Sequence, residues 1–572
     1  MHCPRPDLRA ALVLALALPA LSAATAQGAA TACRGQVISG IIALPMPPAD
    51  RTREVWYEAP VRVMNSTHSV TRPNVVLSLI LLKVGDRCDE FQRLESERIL
   101  RAQPFIANAH IAIVEESPST VMLVVSTQDE FSFIVATRLS GYSPYLTSFT
   151  IGDGNLGGRG MSLAASWTHT DTREGFGAAY TDYTFLNRPM QLQLAAGRGG
   201  VGVASYAGDI SHPFYSDAQR DAWRGSIADL TVLEPFQRAD TVPFDVGEQR
   251  QFAAYGMAWR IGRPGAVLLF GGGASTEYDA TGLPASGYDS AVNYDSLFVR
   301  YAPRRSVRLN AIAQFRALSY RRGTRLGTLN GTQDLRTGAE LDAIVGRGFS
   351  GIDGSSADLF AMGSLFLGAG GRRTYAFLQT IFESRHGTSS GEWTDAIASG
   401  RIRLYQRMGS NHTLVADGEF GGGWRTTRPF ELDLGQPEGG VRGFGGSHAA
   451  GGQRAAFKLE DRLFLGSRHG RVDVGVAAFV DAGKVWAGDV PFGTTTALEV
   501  GAGIGLLAAT PIGSRRTYRV DLAFPLTADR YARWEVRVTI INISELGSFR
   551  EPTDVSFGRE LITTSTNFSY PR

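Results

Sequence analysis

The sequence predicts an all-β transmembrane barrel of about 16 antiparallel strands, preceded by a small N-terminal α+β domain. Three observations predict this architecture. From Phe131 onward, segments of about ten residues alternate apolar and polar positions, and clusters of Gly, Asp, Asn and Pro separate them. Downstream of the N-terminus, no apolar run approaches the ~18 residues of a membrane-spanning helix. The first 26 residues have the features of a secretory signal peptide.

The signal peptide is predicted from three adjacent features. Arg5 and Arg9 supply the positive charge, and Ala10–Leu21 is an apolar run too short for the ~20 residues of a membrane anchor. Ala24 and Ala26 form an A-x-A cleavage site, so we assign residues 1–26 to the signal peptide. Cleavage after Ala24 is an alternative. The mature chain is therefore predicted to be exported.

The alternation itself predicts that the barrel spans a membrane. In Tyr518–Phe524, Arg519 and Asp521 occupy every second position between apolar residues. Trp534–Ile540 repeats the pattern with charged residues on the opposite face to valines. In a membrane such charges must face a water-filled lumen. A soluble β-sandwich or propeller also alternates, but the signal peptide, the length of about 440 residues and the lack of a propeller repeat favour a barrel.

We place the barrel at residues 131–543 and a C-terminal tail at residues 544–572. At about 27 residues per strand and turn, the barrel region accommodates roughly 16 strands, an even number. The tail is rich in Ser, Thr and charged residues. Three interpretations of it stay open: it folds into the lumen, extends into the periplasm, or contributes one more strand near Glu560–Thr566.

The N-terminal domain is predicted over residues 33–128 as strand, helix, helix, strand, strand. Gly35–Ala43 alternates and carries β-branched residues. A first helix begins near Pro73, with Thr71 as a candidate cap, and a second spans Glu90–Ala102 with one apolar stripe. Two alternating strands follow, joined by a hairpin; their ranges are Ile106–Glu115 and Thr120–Thr127.

Two cysteines, Cys33 and Cys88, lie in this domain once the signal peptide is removed. An even pair in an exported chain predicts a disulfide, because exported proteins meet an oxidising compartment. Two unrelated thiols are the alternative.

Motifs for catalysis or cofactor binding are weak throughout. Gly152–Gly157 matches GxGxxG, but an alternating segment rather than a helix follows it, so a turn between strands is the better interpretation. The histidines are scattered, and the sequence has no GxSxG, GxxxxGK[ST] or HExxH motif. The formal net charge of +2 gives no reason to expect a nucleic-acid partner. We predict no catalytic residue, no metal site and no cofactor. An outer-membrane enzyme such as a barrel lipase is a further alternative, but no Ser/His pair stands out in the sequence to support it.

The N-terminal domain resembles a POTRA domain, the periplasmic module of the BamA/TamA outer-membrane superfamily. The resemblance rests on the element order and on the segments LLKVGD and SERILRAQPFIANAHI. One such module fits between the signal peptide and the barrel.

The barrel region resembles the same superfamily in three motifs. The sequence at residues 438–444, EGGVRGF, looks like its VRGF motif. KLEDR at residues 458–462 resembles its E-x-R strand, and FVDAG at residues 479–483 resembles its F-x-D-x-G strand. They occur in the family's order and approximate spacing. The motif residues, besides the charged ones, are Val441, Gly443, Phe444, Phe479 and Gly483.

The resemblance implies that the loop carrying the motif folds back into the lumen. A buried arginine must be paired, and the planar guanidinium suits bidentate binding of a carboxylate. We therefore predict that Arg442 pairs with Asp481 and Glu460 as a lumen latch. An arginine in an exposed Gly-rich loop is the alternative.

The resemblance also implies function: a bacterial outer-membrane protein, in contact with lipid, that helps to insert or translocate other polypeptides and is not an enzyme. Unfolded clients would add a strand to the seam between the first and last barrel strands, or to the domain edge strand near Ala109–Val114. A pore or surface antigen on the same scaffold is the alternative.

Overall fold

The structure is a computed structural model that describes the chain in segments. They are residues 32–48, 68–140, 145–169, 174–199, 204–237, 244–286, 292–436, 438–527, 533–543, 545–548, 550–565 and 568. The predicted signal peptide lies outside the described residues.

The N-terminal domain is a three-stranded sheet with two helices. Its elements are β1 (Val37–Met46), α1 (Pro73–Ser78), α2 (Glu90–Ala102), β2 (Ile106–Ser117) and β3 (Thr120–Asp129). The strand order is β1-β3-β2, with β1 parallel and β2 antiparallel to the central β3. Both β1 and β2 are therefore edge strands.

Local signals explain the helices of this domain. The Asp89 side chain accepts a hydrogen bond from the Gln92 N–H and caps α2. Pro73 begins α1, where a missing N–H costs nothing, but the predicted cap Thr71 instead donates its hydroxyl to Asp129. Cys33 and Cys88 form a disulfide that ties the start of the domain to the residue before the α2 cap.

Long strands make up the rest of the chain. They are β4 (Phe133–Ser140), β5 (Leu146–Asp153), β6 (Met161–His169), β7 (Glu174–Asp182), β8 (Gln191–Arg198), β9 (Ala204–His212), β10 (Asp221–Phe236), β11 (Phe244–Arg263), β12 (Ala266–Ser286), β13 (Arg304–Thr324), β14 (Thr332–Gly348), β15 (Asp358–Gly370), β16 (Thr374–Gly387), β17 (Trp393–Met408), β18 (His412–Trp424), β21 (Gln453–Arg468), β22 (Val472–Trp486), β23 (Glu499–Ala509), β24 (Arg516–Pro525) and β25 (Glu535–Asn542).

The described residues also contain short elements, among them 3-10 helices at Leu156–Gly158 and Phe185–Asn187. The others are the two-residue strands β19 (Leu432–Asp433), β20 (Ala450–Gly451) and β26 (Glu545–Leu546), and the helices α3 (Tyr294–Arg300), α4 (Thr553–Gly558) and α5 (Leu561–Ser565). Among the described helices, none combines the length and apolar content needed to cross a bilayer.

The long strands close into one antiparallel barrel of twenty strands within the described residues, with β25 pairing with β4. The barrel prediction is confirmed, but the predicted count of about 16 strands is wrong. The estimate assumed about 27 residues per strand and turn. Strands β4 to β9 are each only eight or nine residues long, so six strands lie between Phe133 and His212.

The N-terminal domain lies at one end of the barrel, which we call the domain end. Backbone hydrogen bonds join the two parts, from Arg72 N–H to the Gly158 carbonyl at 2.7 Å and from Glu130 N–H to the Phe105 carbonyl at 2.9 Å. Strand β4 begins at this end. The loops at the opposite end include the long connection between β18 and β21.

The described residues of the tail, 545–548, 550–565 and 568, lie inside the barrel. After β25, β26 pairs in parallel with the start of β14, so the chain crosses from the last strand to a strand far around the barrel. The extra strand considered for Glu560–Thr566 does not form, because Leu561–Ser565 is helical. The described residues of the tail thus pack against the inner wall of the barrel.

Candidate functional site

The connection between β18 and β21 is residues 425–452, and its described residues (all but 437) fold into the barrel; we call it the lumen loop. Its β19 pairs with β20, next to the start of β21. Val441 and Phe444 are fully buried in a cluster with Leu434 and Val485. These apolar contacts hold the VRGF segment against the inner wall, since the same side chains would otherwise face lumen water.

Arg442 lies among the carboxylates named from the sequence. Its Nε donates to Asp481 Oδ2 at 2.7 Å and its Nη2 to Asp481 Oδ1 at 2.8 Å, a bidentate pair. Its Nη1 donates to Glu460 Oε2 at 3.1 Å. The guanidinium also stacks 3.4 Å from the Phe479 ring centroid. Arg442 is 8% exposed, so its guanidinium is buried.

Further charges surround this group that sequence reasoning did not connect to it. Arg519 donates to both oxygens of Glu460 at 2.7 and 2.8 Å, and to Asp521 at 2.7 Å. Arg462 donates to Glu460 at 2.5 Å. Each buried charge thus meets opposite charges, which a low-dielectric site requires. The alternation in Tyr518–Phe524 placed Arg519 and Asp521 toward the lumen, but it carried no information about their partners.

Two glycines allow the loop to approach the wall closely. Gly443 has φ +94°, and a Cβ there would lie 2.9 Å from the Phe524 carbonyl carbon. Its N–H donates to Glu535 Oε2 at 3.0 Å on the last strand. At Gly483, a Cβ would lie 2.6 Å from the Val441 side chain. Larger residues at either position would push the loop away from the wall.

The lumen loop spans the seam, which we define as the junction of β25 with β4. Arg138 on β4 forms an ion pair with Glu535 on β25. Arg138 Nη2 also donates to the Gly435 carbonyl of the loop at 2.6 Å. Glu535 in turn accepts the Gly443 N–H, so the loop contacts both strands of the seam. Sequence reasoning missed Arg138, because its significance arises only when the barrel closes.

The seam is paired over half of its length. Glu535–Val538 pairs with Thr137–Ser140, at the end of the seam that is remote from the domain end. In the described ladder, Thr539–Asn542 and Phe133–Ala136 have no register partners across the seam. Thr539–Asn542 pairs only with β24, and Phe133–Ala136 pairs only with β5. The half of the seam nearer the N-terminal domain therefore presents two strand edges.

Helix α2 of the N-terminal domain contacts the barrel through charged side chains. Arg101 donates to Asp334 on β14 at 3.0 and 3.1 Å. Glu97 accepts from Arg93 at 2.9 Å and from Arg322 on β13 at 2.6 Å. Burial raises the pKa of Glu97, but hydrogen bonds from His110 and the Ile111 N–H outweigh it and lower this pKa to about 2.

The remaining sequence predictions concern small-molecule chemistry. The glycine-rich segment at residues 152–157 ends β5 and leads through a single 3-10 turn, Leu156–Gly158, into β6, so the α-helix that a dinucleotide site needs does not follow it. Within the described ranges, no group of three or more His, Cys, Asp or Glu side chains is arranged to hold a metal ion.

Comparison with known proteins identifies one family. Residues 416–541 match the Omp85 superfamily domain, a range that runs from β18 to β25 and contains the lumen loop. No curated protein matches the chain.

Solved structures of outer-membrane barrels are distantly similar. BamA from Haemophilus ducreyi lacking POTRA domains 1–3 has 12% identity over 89% of this chain and 85% of its own, with a TM-score of 0.35. CdiB from Escherichia coli has 13% identity over 88% and 76%, with a TM-score of 0.37. OccK11 from Pseudomonas aeruginosa has 11% identity over 72% and 96%, with a TM-score of 0.30. At these scores the assignment depends on residues 416–541. Those residues match the Omp85 superfamily domain, and a large β-barrel that contains such a domain indicates the bacterial outer membrane.

Proposed function

We propose that this protein inserts or translocates other polypeptides at the outer membrane, using the seam as the exit. The half-paired seam is the observation that carries the proposal. Phe133–Ala136 and Thr539–Asn542 present backbone edges at the domain end without a ladder partner across the seam. An unpaired edge can accept an incoming strand through main-chain hydrogen bonds, so the sequence of the client matters little.

The N-terminal domain would deliver the client as a POTRA-like domain in the periplasm. Its β2 is an edge of the three-stranded sheet and includes Ala109–Val114. Strand addition to this edge would bring an extended client close to the seam, because Pro104, just before β2, accepts a hydrogen bond from Asn542 at 3.1 Å. This step needs no nucleotide.

The lumen latch would hold the seam closed between clients. The Arg442 cluster fixes the lumen loop to β21, β22 and β24 through Glu460, Asp481 and Arg519. From there the loop reaches Arg138 and Glu535 at the seam. Separation of β4 from β25 would therefore have to break contacts with a loop that the latch holds in place.

Site-specific photocrosslinking tests the proposal. A photoreactive phenylalanine analogue replaces Phe133, at the unpaired edge, or Phe382 on β16, a phenylalanine that is paired on both sides and is more exposed (50% against 38%). In cells that synthesise outer-membrane barrels, we expect client polypeptides to crosslink at position 133 and not at 382. Equal crosslinking at both positions, or none at 133, contradicts the assembly function.

A pore is the second candidate, and one row of side chains favours it. Ala164, Ala179, Ala195, Ala207 and Ala228 pair in succession across β6 to β10. All of these except Ala164 line, with Phe252 and Leu561, a cavity of about 290 Å³. Small side chains leave this side of the lumen open. Steady ion-selective conductance in planar bilayers, with no client crosslinking at position 133, would favour the pore.

A further inference from the structure

The C-terminal segment, residues 545–568, fills part of the lumen. From β26 at the domain end it rises to α4, which packs beside β17, β18 and the lumen loop. It then turns through Arg559 and Glu560 and descends to Phe568, whose carbonyl accepts the Phe214 N–H at 2.8 Å. Phe214 precedes β10 at the domain end, so both ends of the segment lie at the same mouth of the barrel.

Glu560 is the central contact of the segment. Its carboxylate is 1% exposed and meets three arginines: Arg304 at 2.8 Å, Arg308 at 3.0 Å and Arg428 at 3.1 Å. Its N–H donates to Glu383 on β16 at 2.9 Å. We call these three guanidinium groups the arginine cradle. Charge-assisted hydrogen bonds of this kind are roughly twice as strong as neutral ones, so Glu560 is a strong point of attachment.

The arginine cradle has carboxylate partners besides Glu560. Arg304 forms ion pairs with Asp279 at 3.0 Å and with Asp395 at 2.7 Å. Arg308 pairs with Asp358 at 2.5 Å, and Arg428 pairs with Asp279 at 2.9 Å. All three carboxylates lie on barrel strands. Departure of the segment would therefore leave no cradle arginine as an unpaired buried charge, which is the state that makes loss of a buried partner costly.

The barrel ladder also closes without the segment. Among the described strands, β25 pairs directly with β4, and β26 adds only a two-residue bridge to β14. Helices α4 and α5 have six and five residues, too short to be stable in water by themselves. Their structure depends on the wall, for example on burial of Ile562 of α5 against β10–β13. The helices of the segment therefore require the barrel around them, as those of a peptide that folds on its receptor do.

The N-terminal domain contacts the segment where it enters the lumen. Glu545 and Asp334 are register partners in the β26–β14 bridge. Arg101 of α2 binds Asp334, and the neighbouring Arg98 lies 3.6 Å from the Glu545 carboxylate. Helix α2 therefore holds both strands of the bridge at once. A movement of the N-terminal domain that withdrew α2 would remove charged contacts from the root of the segment.

We propose that residues 545–568 are a displaceable plug of the lumen, anchored by Glu560 in the arginine cradle and retained at the mouth by Arg98 and Arg101 of the N-terminal domain. The plug occupies the lumen along β10–β18 and leaves the β6–β9 side open. Its release would widen the lumen without opening the seam. The proposal does not depend on whether the protein handles clients.

Single-channel conductance of the purified full chain tests the plug. We compare the native protein with a chain that ends at Ile543 and with the Glu560→Gln variant. Glu392→Gln is the control, because the native Glu392 carboxylate is exposed and pairs with one exposed arginine. Truncation should produce a permanently larger conductance. Glu560→Gln should raise the frequency of large-conductance openings about tenfold, since it weakens several charge-assisted hydrogen bonds. Glu392→Gln should resemble the native protein.

A peptide of residues 545–572 added to the truncated barrel from the domain side should restore the small conductance, and the Glu560→Gln peptide should bind more weakly. Equal conductance of native and truncated barrels overturns the plug.

A pair of introduced cysteines tests the plug in the full-length chain, and so does not depend on whether the truncated chain folds. Leu335 and Leu546 are register partners in the bridge, so Leu335→Cys with Leu546→Cys can lock the plug by a disulfide. The oxidised lock should suppress large openings, and reductant should restore them; the native protein with reductant controls for the Cys33–Cys88 bond. Arg101→Gln should raise the opening frequency in the unlocked chain only. If the locked and unlocked chains open alike, the plug does not move and the proposal fails.

Discussion

Arg138 and Glu535 form an ion pair across the junction of the first and last barrel strands. The pair lies in the half of the seam that is hydrogen-bonded, and the lumen loop contacts both residues. Closure of the seam is therefore coupled to the position of a loop that β21, β22 and β24 hold through other charges.

Replacement of Arg138 should weaken the seam. Arg138→Ala removes one of the two arginines that bind Glu535 and leaves Arg537, so the expected cost is that of one charge-assisted hydrogen bond, about 1.5–3 kcal/mol. The measurement is disulfide formation between Leu139→Cys and Val536→Cys, which are register partners across the seam. Arg138→Ala should slow this crosslinking, and Arg372→Ala, in an exposed turn, should leave the rate unchanged. An unchanged rate in Arg138→Ala would show that the loop and ion pair do not hold the seam.

Replacement of Arg442 should release the lumen loop and leave the barrel inserted. Arg442→Ala leaves the Asp481 carboxylate, which is fully buried, without its bidentate partner, so we expect a loss of about 3–5 kcal/mol in loop docking. Arg442→Lys should recover only part of it, because an ammonium cannot bind both oxygens in the same plane. Limited proteolysis within residues 425–452 measures release. Identical cleavage of native and Arg442→Ala chains would disprove the latch.

Gly443→Ala should also detach the loop, for a steric reason. The backbone has φ +94° and the new Cβ would contact the Phe524 carbonyl carbon at 2.9 Å. Gly409→Ala is the matched control, since Gly409 has φ +64° in a turn with no atom within 4 Å of its Cβ position. Proteolysis of the loop should increase in the Gly443 variant alone. Equal effects would attribute the change to backbone strain rather than to contact with β24.

The N-terminal domain should lose stability in acid through Glu97. Its pKa in the folded chain is about 2, below the ordinary value of 4.5. A carboxylate with a lowered pKa stabilises the folded state above pH 4.5, and this contribution is lost as the pH falls toward 2. The protection factors of the α2 amides against hydrogen exchange, measured in the full chain, should fall over this range. In Glu97→Gln the fall in protection between pH 4.5 and 2 should be smaller; an identical pH profile of protection would exclude Glu97 as its source.

Much of the site was accessible from sequence because its signals are local. The motif at residues 441–444 and the strands containing Glu460 and Asp481 identified three charged residues that the structure brings within hydrogen-bonding distance. Arg519 could be placed on the lumen face by alternation, but its partners could not. Arg138 had no local signal, because its neighbours on β25 lie almost 400 residues away in sequence.

By itself, the sequence determined the alternation that makes a membrane barrel, the second helix of the N-terminal domain and the candidate partners of Arg442, since each depends on residues close in the chain or on a recognisable motif. The tertiary structure alone decided the strand number, the half-paired seam and the place of the C-terminal segment. Strand number depends on turn lengths that vary along the barrel. The segment has helices of five and six residues whose contacts, such as Glu560 with Arg308, are made only inside the closed barrel.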